Sequence, residues 1–175
     1  MKKRVKIEFI IAGALIAAAY AGLTYLSNVF NLAYGPIQLR VSEVLTVLPV
    51  FTPAAIPGLT LGCFIANIGS FNVADLLFGT LATLAAAILT YFLKDIKWRG
   101  IPFLAFFPPV IVNAVIIGFE IALFFLPEGY SFWGFLISGL QVGIGQLIVC
   151  YVFGVPFYLV VQKYRIFERK HNPHK

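Results

Sequence analysis

Residues 41–69 read VSEVLTVLPVFTPAAIPGLTLGCFIANIG, an almost unbroken apolar stretch carrying Pro49, Pro53 and Pro57, with Gly58 after the last. By length it would serve as one membrane span, which needs about 20 apolar residues. Each proline, however, removes a backbone donor and biases the residue before it away from helical dihedrals. One straight helix is therefore not expected. The stretch is either a broken single span or two short helices with a reversal near Phe51 to Ala54, and that choice sets the topology of the whole chain.

Charge placement decides between the two. The 13 basic residues fall into three groups: Lys2, Lys3, Arg4 and Lys6; Lys94, Lys97 and Arg99; and Lys163, Arg165, Arg169, Lys170 and Lys175. Only Arg40 stands apart. Four further stretches, about 7–29, 73–93, 103–126 and 131–162, read as full helices. A single crossing at 41–69 leaves four basic residues inside and nine outside, whereas a reversal gives twelve inside and one outside. Cytoplasmic loops carry the excess of lysine and arginine, so the reversal is expected. The predicted fold is an all-α membrane protein: a six-transmembrane-helix bundle with short helices two (about 41–51) and three (54–69) and both N and C termini cytoplasmic. Residues 1–170 form a single domain, followed by a polar tail at 171–175. The expected location is the plasma (cytoplasmic) membrane.

Composition points the same way. Of 175 residues, 61% are hydrophobic and 11% charged, with a mean hydropathy of +0.93, against about 25% charged in a soluble domain. The polar inventory is too small to coat a water-soluble globule, which excludes a soluble catalytic domain. The net charge of +6 sits at the chain ends and in one loop, as for loops facing anionic lipid. A nucleic-acid footprint would be a basic stripe on a water-facing surface. Cys63 and Cys150 lie in apolar runs and are expected to pack. The basic start followed by an apolar run to about Leu26 imitates a signal peptide, but it has span length and lacks a convincing cleavage site; it is expected to be the first helix. The last stretch, 32 residues or about 48 Å as a helix, must tilt, kink at Gly154 or Pro156, or extend beyond the bilayer.

No GxxxxGK[ST], HExxH or GxSxG occurs. No enzyme activity, metal or cofactor is therefore expected, and any ATP-driven step would need a motor on another polypeptide. The informative residues are instead the polar ones within spans, which are costly in lipid. Glu120 lies about 9 Å below the outer end of its helix, either binding a ligand or protonated and bonded to a neighbouring helix. Asn113, seven residues earlier, shares nearly the same face and either lines the same cavity or links helices. Gln141 and Gln146 point about 140° apart. Gln141 is nearer the outer end and level with Glu120, so it is the expected pocket residue, with glycine-mediated packing as the alternative. Asn67 either reaches that level or caps its helix. Asn72 and Asp75 fit a helix start. Arg40 and Glu43 are either a surface ion pair or, with Arg40 as the one outside cation in a gating or anion-steering role, part of the ligand-binding set, together with Gln38 on the connection above. In the first helix, Ala14 and Ala18, then Ala17 and Ala21, form small-xxx-small pairs suited to internal packing or to docking another subunit.

The segments YGPIQLRVSEVLTVLPVFTPAAIPGLTLGCFIANI, FNVADLLFGTLATLAAAILTY and PPVIVNAVIIGFE resemble the queuosine-precursor family of substrate-binding (S) components of energy-coupling factor transporters, over roughly residues 10–160. The resemblance implies a six-helix subunit that captures a 7-deazaguanine such as preQ1, preQ0 or queuine from outside. It would work with a transmembrane scaffold subunit and two cytoplasmic ATPases. The small residues of helix one match the family's docking theme. A guanine-like edge presents adjacent donors and a carbonyl, which suits a carboxylate together with an amide or arginine: Glu120 with Gln141, Asn113, Asn67 or Arg40. Tyr34 and Trp133 would stack on the base or anchor the interface. The competing expectations are an S component for another vitamin (riboflavin, thiamine or biotin) and a non-transporting membrane partner.

Overall fold

The computed structural model describes residues 2–30, 40–70, 72–127 and 129–167. Gln38 and Tyr34 lie outside the described residues. The helices are α1 (Lys2–Val29), a 3-10 helix (Val41–Val50), α2 (Ala55–Ile68), α3 (Val73–Leu93) and α4 (Phe107–Phe124) after a 3-10 turn (Phe103–Phe106). The last leg joins α5 (Phe132–Leu147) through a π-helical segment (Ile148–Phe153) to α6 (Gly154–Lys163). Four helical stretches are long and apolar enough to cross a membrane, which makes this a multi-pass membrane protein.

The proline stretch does form two short helices, and local chemistry explains where each begins and ends. Pro49 lies near the end of the 3-10 helix, where few further backbone bonds are lost. Pro57 sits in the first turn of α2, where a backbone N–H would have no helical partner in any case. Between them the turn is closed by backbone bonds from Phe51 and Thr52 to the Leu48 carbonyl and from Gly58 to Ala54. The sequence reading missed the 3-10 geometry. At about 2.0 Å per residue it stretches ten residues over about 20 Å, against about 15 Å for an α-helix.

Neighbour relations fix the direction of each leg. Along α1, Tyr20 meets Glu43, Thr24 meets Ser42 and Ser27 meets Val41, so the 3-10 helix runs antiparallel to α1. The contacts of α2 run the other way: Gly58 faces Gly13, Gly62 faces Ala17 and Gly69 faces Tyr25. The chain therefore reverses between Phe51 and Ala54. Asn67 reaches back to Asp75, Phe78 packs on Phe124, and Gly118 lies on Gly139 while Ala114 lies on Gly143. These contacts make α3, α4 and the last leg alternate in direction.

Two close seams hold the bundle. A Cβ on Gly62 would stand 2.8 Å from both the Ala17 carbonyl and the Tyr20 Cβ, and one on Gly118 would stand 2.5 Å from the Gly139 Cα. Ala17 and Ala21 are buried in the first seam, which answers half of the small-residue question: they pack internally. Ala14 and Ala18 are exposed. Opposite the polar end of the bundle lies an aromatic floor. Phe51 stacks on Tyr158 at 4.9 Å and on Phe167 at 6.2 Å, while Phe106 meets Tyr151 and Tyr158, each at 5.9 Å. In the last leg, Pro156 cannot bond back into the preceding turn. The helix widens to π geometry just before it, one of the established ways a helix absorbs such a break.

Gly62→Ala is expected to lower the thermal midpoint of the detergent-solubilised protein, at about 1–3 kcal/mol for overpacking against backbone. Gly22→Ala, which meets nothing within 4 Å, should leave the midpoint unchanged or raise it.

Candidate functional site

The side chains of Tyr20, Thr24 and Ser27 recur at i, i+4 and i+7 on α1 and form one inward polar stripe. All three are buried. Thr24 donates to Ser42 Oγ at 2.7 Å, and the Val41 amide donates to Ser27 Oγ at 3.0 Å. The start of the 3-10 helix is thereby tied to α1, so that its polar residues face inward.

Glu43 is the centre of this arrangement. It is 4% exposed; Tyr20 donates its hydroxyl to Oε1, and Gln146 Nε2 donates to Oε2 at 2.7 Å. Thr46, one turn on, bonds the Glu43 carbonyl and lies 3.7 Å from Cys150 Sγ. Arg40 is also buried, and its Nη1 donates to Asn67 Oδ1 at 3.2 Å. The surface reading of Arg40 and Glu43 is thus corrected: both are buried, Arg40 donating to Asn67 and Glu43 accepting from Tyr20 and Gln146. Asn67 in turn donates to the Asp75 carbonyl at 2.9 Å. Gly79 permits this, because a Cβ there would come within 2.5 Å of Asn67 Nδ2.

Glu120, on α4, is 1% exposed, and neither of its oxygens has a hydrogen-bond partner among the described residues. Asp75 is its close acidic neighbour and Arg40 its nearby cation. Asn72 caps α3 by accepting from the Ala74 amide at 2.8 Å, and the Asp75 carboxyl meets Glu120 on α4. A buried carboxyl whose nearest polar neighbour is a second carboxyl is energetically expensive. It is suited to accept N–H donors of a guest, with the Arg40 guanidinium nearby to donate to a carbonyl; the Asn67 amide is already engaged, donating to the Asp75 carbonyl and to Cys63 Sγ while its oxygen holds Arg40.

The structure therefore brings together Glu120, Asn67, Arg40 and Glu43 from the sequence shortlist. Among the described residues, it does not bring in Asn113, Gln141 or Trp133. Asn113 is buried but donates to its own Pro109 carbonyl at 2.9 Å, and Trp133 is 72% exposed. Gln141 is only half-buried; Gln146, which points the other way around α5, reaches Glu43 instead. Helix rotation, which single-sequence reasoning cannot supply, separates the two. Tyr20 was missed although the Tyr20, Thr24, Ser27 stripe was readable at helical spacing. Asp75 was read only as part of a helix start.

Residues 10–163 match the family model described as QueT transporter. A segment of 103 residues is 37% identical to the queuosine precursor transporter QueT of Lactococcus lactis subsp. cremoris (strain MG1363), covering 56% of this chain and 61% of that protein. The chain thus spans less than two thirds of that relative's length. No solved structure matches.

Gln146→Leu should destabilise the solubilised protein by about 1.5–3 kcal/mol, since it removes a donor to a buried carboxylate. Gln141→Leu should shift the thermal midpoint by less than about 0.5 kcal/mol. Thermal unfolding of both variants side by side checks the assignment.

Proposed function

The chain belongs to the QueT transporter family, and we propose that it is the ligand-capturing membrane subunit of an importer for a queuosine precursor, binding a 7-deazaguanine in the polar core. The observation that carries this reading is Glu120, a carboxyl 1% exposed in an apolar bundle whose close polar neighbours are the carboxyl of Asp75 and the guanidinium of Arg40. In the proposal, Glu120 accepts the paired N–H donors of the guanine-like edge. Arg40, held by Asn67 Oδ1, supplies donors for the carbonyl, and Glu43, held by Tyr20 and Gln146, fixes the start of the 3-10 helix that follows Arg40. The ring then lies among apolar walls, as small-molecule sites generally provide.

The alternating direction of the six legs supports a bundle that crosses the membrane six times with both termini cytoplasmic. The proposed motor is separate: a transmembrane scaffold subunit with two cytoplasmic ATPases. Ala14 and Ala18, exposed on α1, are the proposed contact strip for the scaffold, since small residues allow close helix approach in lipid.

Thermal unfolding against preQ1, preQ0, queuine, guanine, riboflavin, thiamine and biotin tests the ligand class. A ligand at 100 times its Kd stabilises by about 2.7 kcal/mol, and the expected result is a response confined to deazaguanines. A response only to another vitamin would overturn the substrate, and silence throughout would favour a non-transporting partner. Glu120→Gln should weaken a responding deazaguanine by about 10-fold, the loss expected when a buried acceptor of a hydrogen-bond pair is replaced. For orientation, Ser131→Cys should react with an impermeant maleimide on intact cells and Lys97→Cys only after permeabilisation. The native Cys63 and Cys150 are buried and stay silent. The reverse labelling pattern would overturn the orientation.

A further inference from the structure

Between α3 and the 3-10 turn at Phe103 the chain makes a two-residue hairpin. Trp98 and Ile101 exchange both backbone hydrogen bonds, at 2.9 and 3.1 Å, and the two residues at the tip have positive φ: 51° at Arg99 and 83° at Gly100. Positive φ at both tip positions is the type I′ pattern, whose preferred first residue is asparagine or glycine. Arginine is disfavoured in this region, so turn chemistry alone does not account for Arg99.

What arginine adds is a positioned charge. Its guanidinium lies 4.9 Å from the Trp98 ring centroid, next in sequence to exposed Lys97. Lys94 is occupied elsewhere, with Nζ 3.7 Å over the Tyr91 ring. Asp95 is the loop's only acid, so the connection carries a net positive charge. Directly beside it runs a groove of about 500 Å³ whose walls are apolar, formed by Ile96, Trp98, Phe103, Leu104 and Phe107 with Lys97 at the rim. Tyr151 closes one side, its hydroxyl donating to the Phe103 carbonyl at 3.0 Å, so that it turns a ring rather than a polar tip towards the groove. Trp98 and Phe103 hold the opposite side at a centroid distance of 5.8 Å.

We propose that this hairpin and groove bind one anionic phospholipid, with an acyl chain along the apolar walls and the phosphate between Lys97 and Arg99. The occupant follows from the charge and the wall chemistry together. A zwitterionic lipid would bring its own cation to a positive rim, and a soluble phosphate would leave the groove unused. The site is independent of the transport reading and of which leaflet the loop faces.

The test uses the full chain in phosphatidylcholine vesicles, with Trp133→Phe so that Trp98 is the sole tryptophan of the two present. Phosphatidylglycerol and phosphatidylcholine, each with brominated chains, are titrated as quenchers of Trp98. The expected preference for phosphatidylglycerol is about thirty-fold in mole fraction, the equivalent of about 1 kcal/mol for each of two cations. Lys97→Gln with Arg99→Asn should make the two curves coincide. Arg99→Asn alone should unfold no earlier than its parent in neutral lipid, because asparagine suits the turn better. Coincident curves in the parent would overturn the proposal, as would selectivity that survives in the double variant. Trp98 inaccessible to either lipid would mark a protein-facing groove, and displacement of phosphatidylglycerol by glycerol phosphate would mark a plain phosphate site; both overturn it.

Discussion

Glu43 accepts from Tyr20 at one oxygen and from Gln146 at the other, and those donors stand on α1 and α5, legs far apart in sequence. A carboxylate buried in an apolar bundle is tolerated only when such donors are supplied. The three segments are therefore obliged to meet at this height, and the 3-10 helix that carries Glu43 cannot slide or rotate without breaking one of the two bonds. Its first residues are pinned to α1 through Thr24 and Ser27, and its far end is braced by the stacking of Phe51 on Tyr158 and Phe167. Arg40, immediately ahead of that helix, inherits its position from this anchorage. Asn67 and the α2–α3 hairpin are positioned in turn by Arg40 and by the space that Gly79 leaves. A chain of buried polar contacts thus links the proline-broken segment to the first turn of α3, where Asp75 stands beside Glu120.

The prolines and glycines make this arrangement possible in lipid, where irregular backbone must be satisfied internally. Pro57 and the Pro108–Pro109 pair fall in first helical turns, where a missing N–H costs little. Gly58 and Gly62 let α2 lie against α1 closely enough that α1 can present Tyr20 across the seam. Apolar packing and polar positioning are therefore not separate systems here, because the Cβ of Tyr20 lines the same contact whose hydroxyl reaches Glu43.

Much of the architecture could be read from residue order. The placement of Lys94, Lys97 and Arg99 relative to the terminal clusters forced a reversal near Phe51 to Ala54, and the structure turns there. Proline spacing marked the break but not the 3-10 geometry, since the choice between helical pitches depends on what Thr46 and Glu43 bond to. The site was partly legible for a similar reason. Glu120, Asn67, Arg40 and Glu43 were conspicuous because charge and amide groups are rare in such a composition. Gln146 lost to Gln141 because membrane depth can be counted along a sequence and rotation about a helix axis cannot. Tyr20 was overlooked because a tyrosine in an apolar run is compositionally unremarkable until its hydroxyl is seen to have a buried acceptor.

The π-helical segment Ile148–Phe153 bears on how chains of this kind should be aligned. A π turn holds one residue more than an α turn, so it shifts the angular phase of everything after it by about 100° while leaving the leg continuous. Gln146 and Cys150 face the polar core ahead of or within the widened turn, and Tyr158 and Val161 face the floor after it. A relative with one residue fewer between these groups can keep both sets facing inward by reverting to regular pitch. A single-position gap there is then a bookkeeping mark of helix phase, and residues on either side of it should be matched by the direction they face and not by their count from the chain end.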